Sequence, residues 1–546
     1  MKGVTLISLK FMSGYMKKWL PILFISLIAA QVENNMTGAF GTVTMDGKIW
    51  NQLAFRPEIP LGKFGLALDL VFYFDENGNL HKDEWDFSDG NAIKNTLIDK
   101  IYYLRYGYPG DPLFGKIGAL DKVQLGYGIL VDGYSNAIEY PQVRKIGMNF
   151  EYTKGLYSFQ GFVNDFKENI GLTGIRMQTT SLLAFPVGIS AVVDRNQFLG
   201  LKDSDGDGRP NLVDDFPNND NYWLDSDRDG FADNDIQNEN DIDGDLLPDQ
   251  GNIEFIHAYW DSIGNFIDQD FRDSTFYNSL PDGILYPVGS KPLNVNEDTD
   301  PISAFSIDVG IPVIEEEKFS LVMYAQFAKM MGETRYPGIH DSTVSLGSGI
   351  IPLGLRAELG PVNCILEYRM IPNGRFEFGY WNRSYELERA TISQNSDGNI
   401  GISTKESKLG IRGKQKGLYF GVQSNLLSIL SANISFQTLN GEQWNTDEAK
   451  FIDESNQSLQ ASLSLNKKIS RLSRAELFYQ QKNVPNPFDF EYTESTIMGY
   501  RVGISMGDGL VVNYIFKRMF RDTNGDGKIE DSEAINLTRI ETSFNI

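Results

Sequence analysis

Residues 459–466, LQASLSLN, decide the fold. Leu459, Ala461, Leu463 and Leu465 alternate with Gln460, Ser462, Ser464 and Asn466. A period of two puts the apolar side chains on one face of an extended strand and the polar ones on the other. The pattern recurs. Ala432, Ile434 and Phe436 alternate with Asn433, Ser435 and Gln437, and Met148, Phe150 and Tyr152 with Asn149, Glu151 and Thr153. Tyr157, Phe159 and Val163 oppose Ser158, Gln160 and Asn164. Residues 39–196 and 302–546 carry roughly 16–20 segments of this kind, each about ten residues long, the length of a tilted membrane-crossing strand.

A soluble sandwich would turn the polar face to water. A chain of 546 residues with so many ten-residue strands fits a closed barrel better, with lipid outside and a polar lumen inside. Beyond residue 30 no apolar run reaches eighteen residues, which excludes a helical membrane protein. Short links at 154–155, 182–186, 360–361, 466–469 and 507–509 alternate with long ones at 76–97, 201–300, 331–347, 440–456 and 483–496. Phe376, Phe378 and Tyr380 also alternate, and are read as a strand reaching an interfacial aromatic girdle.

Residues 1–30 read as a cleaved signal peptide. Lys17 and Lys18 precede the apolar run Trp19 to Ile28, and Ala29-Ala30 offers a small-residue cleavage site. Met16 opens the segment in the usual way and competes with Met1 as the start. The formal net charge is −24. Lys202 to Gln250 holds fifteen Asp and one Glu against three basic residues, so much of the acidity sits in one tenth of the chain. This argues against a nucleic-acid partner and for bound cations. The single cysteine, Cys364, alternates with Val362, Leu366 and Tyr368 and reads as a residue on a strand face.

The acidic tenth has a regular spacing. Asp-x-Asp-x-Asp occurs at Asp203, Asp205 and Asp207, at Asp225, Asp227 and Asp229, and at Asp241, Asp243 and Asp245. Alternate carboxylates of a tight loop converge on one point, which suits a calcium ion seeking six to eight oxygens. With Asp215-Phe-Pro217 and the Trp223-Leu-Asp225 entry, the segment resembles bacterial thrombospondin type 3 repeats. The resemblance implies an irregular chain wrapped around a row of Ca²⁺ ions. It assigns Asp203, Asp205, Asp207, Asn211 and Asp214 to the first unit. Asp225, Asp227, Asp229, Asp233 and Asp235 fall to the second, and Asp241, Asp243, Asp245 and Asp249 to the third, where Leu246 replaces the turn glycine.

Asp522 to Glu533 resembles the twelve-residue EF-hand loop. The resemblance implies ligands from Asp522, Asn524, Asp526, the Lys528 carbonyl, Glu530 (through water) and a bidentate Glu533. The flanks read as strands, so a helix-pair switch is not expected. Asp75 to Asp86 is a weaker echo and reads as a polar loop.

The last segment, INLTRIETSFNI at 535–546, places Ile540, Thr542, Phe544 and Ile546 on one face and Arg539, Glu541, Ser543 and Asn545 on the other. It resembles the terminal strand of bacterial outer-membrane barrels, with Ile in place of the usual final Phe. That resemblance implies assembly by the barrel assembly machinery. If the chain ends in the periplasm, turn lengths put the Asp522 loop, which precedes the last strand, and the 201–300 segment, which follows the strand leaving the short turn at 182–186, outside the cell.

Three scattered histidines, with no HExxH, CxxC or GxSxG, supply no enzyme constellation. Gly110 to Lys116 lacks the Ser/Thr of a phosphate loop and reads as a turn between strands. The expected protein is all-β: a large antiparallel transmembrane β-barrel, near 18 strands, in the outer membrane of a Gram-negative bacterium. Its expected organisation is a first barrel part at 31–197, an extracellular insert at 198–301, and a second barrel part at 302–546 carrying the loop 522–533. The expected function is that of a porin-like channel with calcium-ordered external loops, Ca²⁺ its bound ion, and lipid and an extracellular ligand or solute its partners. The competing expectation is a non-conducting surface anchor that displays an adhesive or binding insert.

Overall fold

The computed structural model describes residues 35–545, apart from 46–47, 82–84, 86, 88–89, 141–142, 169, 183–184, 212, 224–230, 233–234, 236–292, 340–341, 395–399, 427–428, 447, 490, 508 and 523–527. The signal-peptide expectation for residues 1–30 lies outside this range.

One antiparallel sheet of twenty-one strands makes the wall. Two of them, Phe64–Leu68 and Leu70–Phe74, are halves of one strand broken at Asp69, so the wall has 20 staves. It closes where Asn35–Met45 pairs antiparallel with Ala534–Asn545. Closure leaves neither the first nor the last strand with a free edge.

The alternation read from the sequence becomes a sorting of faces. In the strand Ile302–Glu316, Phe305 and Ile307 are 38% and 45% exposed on the outside, while Ser306 and Asp308 are 3% and 4% exposed on the inside. Elsewhere Ile175, Ile189, Leu366, Phe420, Ile434 and Ile540 point outward, and Arg176, Ser190, Glu367, Gln437 and Glu541 inward. This is inside-out relative to a soluble core. Cys364 lies half-buried on the outward-facing row with Leu366 and Tyr368.

Connections at one end are short. The turns at 155–156 and 360–361 need only two residues, and Gly155 and Gly360 take positive φ of 59° there, which glycine adopts without strain. The long connections 75–100, 119–146, 195–301, 332–347, 372–411, 485–496 and 521–533 all leave the opposite end. The link expected at 440–456 is instead the paired ends of two sixteen-residue strands, Leu430–Asn445 and Lys450–Leu465, whose backbone ladder runs on to Asn445 and Lys450 although the side-chain alternation lapses between Asn440 and Ser458.

Two of the long connections turn inward. Residues 119–146 and 372–411 meet inside the barrel, where Val131–Asp132 pairs in parallel with Trp381–Asn382. Their Leu130, Val131, Tyr134, Tyr380, Trp381 and Tyr385 form one core with the inner-facing Phe162, Leu172, Val192, Tyr324 and Ile351 of the wall. Tyr127 stacks on Tyr324 with centroids 4.1 Å apart. Phe376, Phe378 and Tyr380 belong to this core and are buried. The girdle reading is therefore overturned. An apolar alternation serves a buried inner core as well as it serves lipid, and these rings gain roughly 1.5–3 kcal/mol each by burial.

Candidate functional site

The inward loops fill the lumen unevenly. Their main core packs on the arc of wall running from Tyr157–Val163 to Val362–Ile371, and a smaller cluster, Ile138 and Leu387 with Ile497 and Met519, touches the strands beyond it. The other arc, made by Lys48–Leu61, Ile101–Tyr106 and the four strands from Leu472 to Asn545, keeps an open cavity of about 700 Å³. A second space of about 30 Å³ beside Arg369 and Lys482 is only water-sized.

The cavity is basic in an acidic protein. Nine Arg or Lys line it against five Asp or Glu. One corner is neutralised: Arg56 Nε donates to Asp69 at 2.8 Å and its Nη1 to Glu541 at 3.0 Å. Tyr140 also donates to Asp69, at the break in the strand. Elsewhere compensation is thin. Arg501 faces Ile515 across one strand pair, and Ile515 faces Arg539 across the next. Lys517, two residues on, donates to the Ile138 carbonyl at 2.5 Å. Arg383, from the inward loop, lies 4.5 Å over the Phe478 ring, and burial pulls its guanidinium below the ordinary range.

A buried ionic network anchors the inward loops. Arg389 makes two bonds to Asp194, Nε to Oδ2 at 2.7 Å and Nη2 to Oδ1 at 2.8 Å, and a third from Nη1 to Glu168 at 2.8 Å. Lys145 bridges Glu168 at 2.5 Å and Glu386 at 2.6 Å. The same network reaches the neck of the 195–301 connection. Arg389 Nη2 donates to the Asn196 carbonyl at 3.1 Å, and Tyr380 OH donates to Gln197 Oε1 at 2.8 Å. Glu406 N donates to that Gln197 oxygen as well, and Thr404 to Asp300. Burial pushes the Glu406 carboxyl up to about 7; Asp300 adds to the rise, while Thr334 and Arg335 oppose it.

Among the expected metal ligands, the structure brings Asp203, Asp205 and Asp207 together, with carboxylate oxygens within 4.8 Å of one another. The loop is held by its own backbone: Gly206 N and Gly208 N donate to Asp203 at 2.8 and 3.0 Å. Asp214 is 6% exposed, and its Oδ2 has no hydrogen-bond partner. Burial, reinforced by Asp205, Asp207 and Asp203, pushes its carboxyl up to about 6. An orphaned buried carboxylate oxygen beside three more carboxylates fits a hard cation. Asn211 turns to Ser204 instead, accepting from Ser204 N at 2.8 Å. Asp235 bonds with Tyr222. Asp225, Asp227, Asp229, Asp233, Asp241, Asp243, Asp245 and Asp249 lie outside the described residues, as do Asn524 and Asp526. Of the C-terminal loop, Asp522 and Glu533 are buried, and Glu533 accepts from Glu530 N at 2.9 Å, closing the turn before the last strand. Glu530 caps that turn, and Lys528 lies two residues before it. The weak echo at Asp75 is a turn in which Asp75 accepts from Asn77 N and Asn79 N, as a polar loop would.

Sequence reasoning missed the inward loops and the basic cavity. The signal for the loops was present: 119–146 and 372–411 hold YGILVDGY and FEFGYWNRSYELER, where apolar residues crowd without strict alternation. The cavity had no local signal, because Arg383, Arg501, Lys517 and Arg539 are far apart in the chain.

No family model matches the chain, and no curated protein matches it. Solved structures do match at low similarity. OprD of Pseudomonas aeruginosa aligns at 8% identity and a TM-score of 0.31, covering 94% of this chain and 95% of that chain. OccK2 (OpdF) of the same organism, in complex with glucuronate, aligns at 7% and 0.31, covering 94% and 97%. OpdK of that organism with vanillate aligns at 5% and 0.33, covering 94% and 98%. The barrel assignment rests on this chain's own strand pairing.

Proposed function

We propose that this protein is an outer-membrane, porin-like channel whose external loops are ordered by calcium. The observation that carries the reading is the inside-out closed barrel with a cavity of about 700 Å³ beside its inward loops. A barrel of this size has room for an aqueous path even after part of its lumen is filled. The outward apolar face would meet lipid, and the end bearing the long connections would face the medium. Insertion would depend on the barrel assembly machinery acting on the closing strand.

Calcium is the proposed ion. Asp203, Asp205, Asp207 and Asp214 would hold one ion at the base of the 195–301 connection, and the later repeats and the 522–533 loop would hold others. Bound ions would cancel the mutual repulsion of the carboxylates and stiffen the loops. Millimolar medium calcium would suffice for sites of the extracellular class, with Kd about 10⁻⁴–10⁻³ M.

A second reading, a non-conducting anchor that displays the 195–301 connection, draws support from the solid core that fills one arc of the lumen. Planar-bilayer recording on folded protein separates the two. Stable conductance steps support the channel. Silence from protein that still shows heat-modifiable barrel migration supports the anchor.

A further inference from the structure

The cavity has more positive charge than its own carboxylates neutralise. Among the described residues, Arg383, Arg474 and Lys517 have no carboxylate within ion-pair distance. Arg501 reaches Glu476 only at 3.8 Å and Arg539 reaches Glu541 only at 3.7 Å, and Glu541 is already held by Arg56 and Gln52. Arg501 Nε and Arg539 Nε are buried donors with no hydrogen-bond acceptor. The chain carries a net −24, so a local surplus of cations is not a by-product of composition.

The arrangement is also directional. Arg501 and Arg539 flank the strand that carries Ile515 and Lys517, two strand spacings apart, or about 9.6 Å. Arg383 approaches from the inward loop, over Phe478 of the neighbouring strand. Wall and loop thus supply cations from two sides of one space. Packing like charges in a low-dielectric enclosure is unfavourable unless anions offset it, and such an enclosure concentrates anions from solution. Guanidinium forks match the planar or tetrahedral oxygens of oxyanions, and free N–H donors supply the bonds.

We propose that Arg383, Arg501, Lys517 and Arg539 form an anion-binding patch on the cavity wall that passes small oxyanion-bearing solutes: carboxylates, phosphates or sulfates. The substrate class rests on the channel reading above; the binding site does not, since a closed cavity could hold the same anions.

Two measurements on the full folded chain keep these apart. The first is the reversal potential in a potassium chloride gradient, with wild type compared with R501Q/R539Q and R383Q. The second is titration of detergent-solubilised protein with inorganic phosphate, with sulfate and acetate in separate arms to rank the oxyanion. The expected results are chloride preference over potassium, reduced roughly tenfold in R501Q/R539Q, and saturable binding of at least one oxyanion that weakens in both variants. R383Q leaves the wall strands untouched and serves as the control if the double variant folds poorly. A conducting channel with cation preference that neither variant changes overturns the proposal and leaves the channel reading standing. No conductance with retained, variant-sensitive oxyanion binding keeps the site and defeats the channel. No conductance and no binding overturns both.

Discussion

Arg389 and Asp194 form a two-bond ion pair, at 2.7 and 2.8 Å, in which both side chains are fully buried. Asp194 ends the wall strand that leads into the 195–301 connection, and Arg389 belongs to the inward loop 372–411. The pair therefore joins the part of the chain that fills the lumen to the base of its longest connection. A charge buried this way is stable only while its partner remains.

Arg389→Ala is expected to cost about 3–5 kcal/mol, because it strands Asp194 without its cation and leaves Glu168 with Lys145 alone. The wall does not depend on this pair. The barrel should still form while the inward loop loosens, and on the channel reading conductance should rise. Denaturant unfolding and bilayer recording on the same preparation check both effects; an unchanged midpoint would show that the pair contributes nothing.

The neck should be sensitive to pH. The Glu406 carboxyl is pushed up to about 7 in the fold from an ordinary value of 4.5. A raised carboxyl binds a proton in the folded state that the unfolded chain has already released. Its contribution is therefore full below about 4.5 and is lost as pH rises through about 7. The Glu406 and Gln197 amides should exchange faster at about pH 8 than at about pH 6, after correction for intrinsic rates. Glu406→Gln should flatten this difference. Equal protection at both pH values in the wild type would refute it.

Asp205→Asn combined with Asp214→Asn should remove the first calcium site and leave the rest of the 195–301 connection able to bind. Calcium titration of the full chain by calorimetry should lose one site of the class near 10⁻⁴–10⁻³ M. An identical stoichiometry in wild type and variant would show that these carboxylates hold no ion.

Ile307→Arg should destabilise the barrel in lipid by about 2–4 kcal/mol if Ile307 lies near the midplane, because it sets a charge on the lipid-facing side. Ser306→Thr, one residue away on the lumen side, should change stability little. Equal effects of the two would mean that Ile307 does not face hydrocarbon.

The alternation in residues 459–466, 432–437 and 148–153 was enough to place those strands and to say which side chains share a face. A period of two is a local property, fixed by the geometry of the extended chain. The long connections at 201–300 and 483–496 were legible for the same reason, since the alternation stops there. The grouping of Asp203, Asp205 and Asp207 was legible too, because a tight turn brings alternate carboxylates together whatever the rest of the chain does.

Other features were decided only in three dimensions. Phe376, Phe378 and Tyr380 alternate as a lipid-facing strand would, yet they lie inside the barrel. Alternation says that residues share an apolar surrounding but not whether lipid or protein supplies it. The count of staves depended on Asn35–Met45 meeting Ala534–Asn545, a contact between opposite ends of the chain. The basic cavity needed Arg383, Arg501, Lys517 and Arg539 to converge from a loop and three strands. Charge acts through space and not along the sequence, so closure of the wall and the inward turn of the loops were required before those cations became one site.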